Sequence, residues 1–308
     1  MLESSCSFIH MRERGEMRLK DQLQKLLEER VRHFVSNERS TLDDGETIER
    51  KKESCARRGA EIVKTKGEGR ILRKSEADGQ AEVFYTVHFQ HLVRQKGLFF
   101  LEETVEQRKA DFYKGILIAD CEDAPLYKEN AALPYEEREP EGKYKSTFKY
   151  DRLKAVQYAE RWWNDYNPAF KKFDVDCTNY ISQCLHAGGA VMHGYPNRTG
   201  GWWMRNHNWS YSWTVANSMR WYLASAKAGL KAREVESAAQ LEPGDVICYD
   251  FQGDGRFDHT TIVIGKDANG MPLVNAHTSN SRNRYWAYED STAYTPGIQY
   301  KFFAIVGD

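Results

Sequence analysis

The spacing of apolar positions changes along the chain, and each change marks a different kind of structure. Across residues 16–38, Leu19, Leu23, Leu26, Leu27, Val31, Phe34 and Val35 recur three and four residues apart with charges between them. That period predicts an amphipathic helix. From residue 59 the period shortens to two. Segments 59–65, 69–74, 81–94, 98–106 and 109–119 read as strands, most plainly where Val83, Tyr85, Val87 and Phe89 alternate with residues for the other face. One helix followed by a meander predicts a helix packed on an antiparallel sheet. Between residues 121 and 149 the chain turns charged and gains Pro125, Pro134 and Pro140, which reads as a linker or irregular crossover. A domain boundary is placed near residue 145, giving an N-terminal α+β domain over 1–145 and a second domain over 146–308.

The second half has its own pattern. A helix opens at Asp151 and carries Leu153, Val156, Trp162 and Trp163. A second begins at Cys177. Counting from that residue, Tyr180, Ile181, Cys184 and Leu185 fall at +3, +4, +7 and +8, and Gly188-Gly189 supplies the stop. Further on, the turn Pro243-Gly244-Asp245 feeds a strand through Tyr249. A strand starting at His259 follows, then the turn Asp267-Ala268-Asn269-Gly270, then a strand over 273–278.

Composition narrows the function classes. The formal net charge is −1, which argues against a nucleic-acid-binding surface. The basic positions Arg39, Arg50, Lys51, Lys52, Arg57 and Arg58 are interleaved with acids and read as a solvated face. No apolar run approaches the roughly 20 residues that span a bilayer. The first thirty residues are too charged for a signal peptide, so the expected compartment is the cytoplasm. Six cysteines without a CxxC pair indicate neither a disulfide framework nor a zinc ribbon. His88 and His91, three apart in a strand, point to opposite faces and read as structural. Asp250 and Asp254 lack the ligand series of a calcium loop. No metal or organic cofactor is expected.

Cys177 carries the chemistry. A thiol at a helix N-terminus lies near unpaired N–H groups and the positive end of the helix dipole, an environment that favours the thiolate. Asp176 before it is a candidate N-cap, and a catalytic role for it stays equally open. Nucleophilic catalysis needs a thiolate, an imidazole to take and return a proton, and a third polar group to orient that imidazole. Cys177 and His259 supply the first two. Asn275 and His277 share one face of the next strand, and His277 is placed in the third role with Asn275 in reserve. The Cys177 N–H is the expected oxyanion donor, with Tyr166 and Asn167 as side-chain candidates. Cys184 and Cys248 read as small buried hydrophobes. Trp202, Trp203 and Trp209 lie in a loop too aromatic for an ordinary connector. Two readings stay open there: a groove that stacks on sugar or peptide, or a cap on the core, the latter favoured for Trp213.

These segments together resemble the bacterial putative amidase domain family, and more broadly the papain-like NlpC and CHAP hydrolases, over about residues 150–308. The resemblance rests on Asp-Cys-Thr-Asn-Tyr-Ile-Ser-Gln at 176–183, Pro-Gly-Asp-Val at 243–246, Asp-His-Thr-Thr-Ile-Val at 258–263 and Asn-Ala-His-Thr at 275–278, in that order. It implies a papain-like second domain, with the cysteine helix packed on an antiparallel sheet. It also implies a Cys177 nucleophile, a His259 base and a third polar residue near 275–277. The expected activity is amide hydrolysis through a thioester, with a cell-wall peptide or muropeptide as substrate. The rivals are an inactive glycan- or peptide-binding module and an acyltransferase with the same nucleophile. Nothing in residues 1–145 converges chemically, so recognition of a partner is the role left for them.

Overall fold

The computed structural model describes residues 4–8, 14–40, 42, 45–123 and 148–307; most of the expected 121–149 linker lies outside these. The chain is α+β and divides into two compact units, Met1–Ala124 with Tyr288–Thr292, and Pro125–Ala287 with Ala293–Asp308. None of the described helices is long and apolar enough to cross a membrane.

The first unit runs β1 (Ser5–Phe8), α1 (Arg14–Val35), α2 (Gly45–Arg57), β2 (Ala60–Ala77), β3 (Gln80–Gln95), β4 (Leu98–Tyr113) and β5 (Ile116–Glu122). β2 to β5 form an antiparallel meander, and β1 pairs parallel to β2. The apolar stripe of α1 (Leu19, Leu23, Leu27, Val31, Phe34) packs with Val83, Tyr85, Val87 and Phe89 of β3. The sequence suggested a break near residues 66–68, but β2 continues through it. Gly67 and Gly69 serve close packing there. A Cβ on Gly67 would stand 2.9 Å from Leu27, and one on Gly69 would stand 2.3 Å from the Phe8 ring.

The helix α2 has no counterpart in the apolar pattern, because its buried face is Gly45, Ile48, Lys51, Ser54 and Cys55. The basic run is not simply solvated. Lys51 is buried and ion-paired to Glu102 and, at 3.0 Å, to Asp290, while Arg58 is buried as well. His91 lies buried with Nδ1 3.0 Å from Thr65 Oγ1, and burial pushes its imidazole well down. His88 bonds Glu103 at 2.8 Å.

The second unit contains α3 (Arg152–Trp162), α4 (Cys177–Ala187), the short β6 (Met204–Arg205) and β7 (Asn208–Trp209), α5 (Tyr211–Thr214), α6 (Ala216–Ser225), β8 (Lys231–Val235), β9 (Val246–Asp250), β10 (His259–Lys266), β11 (Pro272–Ala276), β12 (Ser281–Tyr285) and β13 (Gln299–Val306). Its sheet runs β12-β11-β10-β9-β13-β8 with antiparallel neighbours. Every residue of α4 from Cys177 to Leu185 is buried. Tyr180, Ile181, Cys184 and Leu185 join Val246, Cys248, Ile262 and Phe303 in one core, so α4 lies on the sheet with its N-terminus near the start of β10. Asp151 caps α3 by accepting from Lys154 N at 3.1 Å. Arg152 then donates to Pro243 O at 2.9 Å and Asp245 Oδ1 at 2.7 Å, tying α3 to the turn before β9.

Candidate active site

The site is assembled where α4 begins. Asp176 does not cap its helix through its side chain. Its carboxylate instead gathers the segments around it. Oδ1 accepts from Phe173 N and Asn179 Nδ2, each at 2.9 Å, and Oδ2 lies 2.9 Å from His277 Nδ1. The other ring nitrogen of His277 lies 2.7 Å from Trp162 O. The ring thus bridges the Asp176 carboxylate and the Trp162 carbonyl, with one nitrogen at each. Tyr180 stacks on the same ring at 3.9 Å with the planes 9° apart. The arrangement fixes the residue before Cys177.

Thr278 fixes the next link. Its Oγ1 accepts from Asp176 N and Cys177 N, both at 3.1 Å. The expected oxyanion donor, Cys177 N–H, is therefore bonded to a hydroxyl of the chain itself. On the other side, Cys177 Sγ lies 3.7 Å from Thr178 Oγ1, which lies 3.2 Å from Thr260 Oγ1 on β10. The Thr260 N–H also points to the sulfur.

Thr260 thus faces α4. Alternation sends the preceding side chain, His259, the other way, with its ring 5.6 Å from Tyr249 and stacked on Phe251 at 6.1 Å.

Burial dominates the electrostatics. It pushes the Cys177 thiol up, against hydrogen bonds from Thr178, Thr260 and Thr278 that hold it back. The sequence alone suggested a lowered thiol; the helix terminus contributes at most about 2 kcal/mol, and complete desolvation outweighs it. Burial likewise pushes His259 down to about 3, with the Arg284 charge adding to it. Cys184 and Cys248 are pushed up by burial and lie in the core.

The other sequence candidates fall into place around this centre. Asn275 donates to Glu160 Oε1 at 2.9 Å and accepts from Asn283 N at 3.0 Å, and Arg282 Nε meets the same Glu160 at 2.8 Å. Its bonds tie β11 to α3 and to β12. Tyr166 packs edge-on to His277 at 4.9 Å, and Asn167 donates to Tyr158 at 2.9 Å. Both border a small cleft beside Asp176 and His277, with Lys171 and Lys172 on its rim.

In the aromatic loop, Trp202 and Trp203 are 0% and 1% exposed. Trp202 donates to Ser182 at 3.0 Å and packs on Trp213, and Trp203 donates to Asn197 O at 2.9 Å. The core-cap reading describes these two, and with no accessible face they cannot line a groove. Trp209 is half-buried against Phe173 at 4.9 Å, with Lys171 Nζ 4.5 Å from its ring.

Sequence reasoning passed over Thr178, Thr260 and Thr278. Each is adjacent in sequence to a residue it did select, Cys177, His259 or His277, and that adjacency was the available signal. Among the described residues, no group of three or more His, Cys, Asp or Glu side chains is placed to hold a metal ion.

The chain is 50% identical over 305 residues to the uncharacterized protein YhbB of Bacillus subtilis (strain 168), covering 96% of this chain and 98% of that protein. It is 30% identical over 143 residues to the uncharacterized protein YjcM of the same organism, covering 44% of this chain and 32% of that protein. No solved structure matches it significantly. Residues 149–303, which contain the whole assembly around Cys177, match the family described as the putative amidase domain, and the chain belongs to that family.

Proposed function

We propose that this protein is a cysteine amidase whose second unit works in the papain-like manner. The observation that carries the reading is the position of Cys177. It is the first residue of a buried helix, its sulfur meets the N–H of Thr260, and Thr260 directly follows His259 in β10. In this reading the Cys177 sulfur attacks the amide carbonyl carbon and its proton goes to His259, whose ring must turn from its packing on Tyr249 and Phe251 to reach the sulfur. Held neutral down to about pH 3 by burial, His259 is in the base form throughout the working range. It then returns the proton to the departing amine. The thioester is released by water, which His259 activates in the same way. Asp176 and His277 hold the nucleophile's end of the helix, and Asn275 braces β11 behind it. The proposed substrate is a peptide amide of the kind found in bacterial cell-wall muropeptides.

The test is turnover of peptide amides and muropeptides, followed by mass spectrometry. Cys177→Ala and His259→Ala should each abolish hydrolysis, and the wild type should accumulate an acyl adduct of Cys177 on acid quench. Hydrolysis that survives in Cys177→Ala overturns the reading. Product carrying an added amine acceptor in place of hydrolysis assigns acyl transfer to the same nucleophile.

A further inference from the structure

The flank of α4 away from the sheet carries an opening of its own. The cleft beside Asp176 and His277 is walled by the rings of Trp162, Tyr166 and Phe170 and reaches in to Asn179 and Gln183. Helix geometry separates it from the thiol. Asn179 and Gln183 follow Cys177 and Ile181 by two residues, which turns them about 200° around the axis. The open space, about 210 Å³, admits a small group or a chain end and no folded partner.

A chain of hydrogen bonds fixes which way the amides of this cleft face. Ala169 N donates to Asn167 Oδ1 at 3.0 Å, so Asn167 Nδ2 is the atom at the Tyr158 hydroxyl, 2.9 Å away. An NH2 group only donates. The Tyr158 hydroxyl therefore accepts there and sends its own hydrogen to Gln183 Oε1 at 2.6 Å. The Gln183 NH2 is left over. Gln183 is 6% exposed, and among the described residues its Nε2 has no hydrogen-bond partner. The acceptors near it are taken: Asn179 Oδ1 by Trp213 Nε1 at 3.0 Å, and the Asp176 oxygens by Phe173 N, Asn179 and His277.

The rim adds charge. Lys171 Nζ lies 4.5 Å from the Trp209 ring and Lys172 Nζ 3.8 Å from the Tyr166 ring. Among the described residues neither meets a carboxylate, whereas Lys51, Lys52, Lys66, Lys109 and Lys266 each do. Aromatic faces hold the two ammonium groups in place and leave their hydrogens available. Asp165 is the exposed acid of the lining, and one of its oxygens accepts from Tyr166 N at 2.8 Å.

We propose that this cleft is a carboxylate-binding site, separate from the proposed catalytic centre, that takes a small carboxylate or the free carboxyl end of a peptide. One carboxylate oxygen accepts from Gln183 Nε2, and the two ammonium groups supply the countercharge. A nearly buried donor without a partner is costly, and an acceptor on the ligand removes that cost. A flat group suits the aromatic walls. A tetrahedral anion such as phosphate would call for an arginine fork or a row of backbone N–H groups, and the described residues lining the cleft include no arginine. The inference does not depend on Cys177 being a nucleophile.

The experiment is isothermal titration calorimetry of the full-length chain, at low salt and neutral pH, with propionate, N-acetyl-trialanine and the C-terminal amide of that peptide. Cys177→Ala is titrated in parallel, so that hydrolysis cannot stand in for the heat of binding. The tighter of the two carboxylates should exceed the amide by at least about tenfold, with the same affinity in both proteins. If that is propionate, the ligand is a small free carboxylate; if it is N-acetyl-trialanine, the ligand is a peptide end. Gln183→Glu keeps the acceptor for Tyr158 and replaces the NH2 with a repelling oxygen. Lys171→Met/Lys172→Met removes the rim charge at two exposed positions. Each should weaken carboxylate binding by at least about tenfold, and the lysine variant should also flatten its salt dependence.

The lysine variant leaves the core untouched, so the test stands even where Gln183→Glu does not fold. Several results overturn the inference: an amide that binds within about tenfold of the tighter carboxylate, an affinity unchanged in the lysine variant, or no heat from either carboxylate up to about 10 mM. Inorganic phosphate binding more tightly than both carboxylates overturns the ligand class.

Discussion

Replacing His277 with alanine tests whether the pair it forms with Asp176 holds the nucleophile's end of α4. The two side chains are each 2% exposed and 2.9 Å apart. Removing the ring leaves a buried Asp176 oxygen without its hydrogen-bond partner, a change that typically costs about 1–3 kcal/mol. The bonds from Phe173 N and Asn179 Nδ2 remain and keep the loss within that range. The ring also leaves Trp162 O without its donor and takes away the stack on Tyr180, for about 1–3 and 0.5–1.5 kcal/mol. These losses overlap, since water can enter the space, and a total near 4 kcal/mol is expected.

Urea unfolding followed by tryptophan emission is the suitable assay. All eight tryptophans lie between residues 162 and 286, in the second unit, so the signal reports this unit alone. The double variant Asp176→Asn/His277→Ala should lose at least about 1 kcal/mol less than the sum of its two single variants, because that sum counts the bond between them twice. A His277→Ala loss under about 1 kcal/mol, or strict additivity in the double variant, refutes the account of this pair.

Three further outcomes are expected. His259 has a folded value near 3 against an ordinary 6.5, so its neutral burial stabilises fully above pH 6.5. That stability, about 5 kcal/mol at most, is lost as pH falls from 6.5 toward 3. Asp258, pushed up to about 6 by burial, acts in the opposite sense as pH falls through 6. The His259 share is therefore read as the difference in pH slope between wild type and His259→Asn, and equal slopes would contradict it. Trp202→Ala should cost about 3–5 kcal/mol in the same urea assay and Trp209→Ala under about 2, since only the first is wholly enclosed; equal losses would restore the groove reading of Trp202. Gly69→Ala should destabilise the first unit by about 1–3 kcal/mol through its clash with Phe8, seen as faster amide exchange along β2 and β3, and unchanged exchange would mean that Phe8 moves aside at no cost.

What could be read from the sequence was whatever a local period encodes. The stripe of α1, the alternation of β3 and the helix beginning at Cys177 are each short-range patterns, and the structure has helix and strand at those places. Where burial is polar, the pattern vanishes. α2 buries Lys51 and Ser54 beside Ile48 and Cys55, and no hydrophobic period can announce a face stabilised by an ion pair to Glu102. Glycine misled for a related reason. At Gly67 and Gly69 its signal is close approach, which looks like a turn until the partner side chains Leu27 and Phe8 are in view. At the site, Cys177 and His277 stood out as chemistry-bearing types. The threonines around the thiol did not, because a hydroxyl acquires its role only through the partners that folding brings to it. Asp176 was legible as a polar residue at a helix start, yet its bonds run to residues 173, 179 and 277 instead of the helix N-terminus it precedes.

The same comparison decides how the proposed nucleophile can work. A helix terminus favours a thiolate by roughly 0.3–2 kcal/mol, complete burial opposes it by more, and burial is the largest influence on the Cys177 thiol. With His259 neutral as well, the two proposed catalytic groups rest as a thiol and an imidazole. Proton transfer then accompanies attack on the carbonyl. In that scheme charge develops on sulfur as the carbonyl is attacked. Such a scheme requires donors that strengthen as the charge forms and cost little beforehand. The Thr178 hydroxyl beside the sulfur meets that requirement, because it need only turn its hydrogen toward it. A pH–rate profile for kcat/KM that is flat between about pH 5 and 8 is the expected signature. An acid limb near pH 6.5 would show instead that His259 titrates as an exposed histidine and that the buried neutral pair is not the working state.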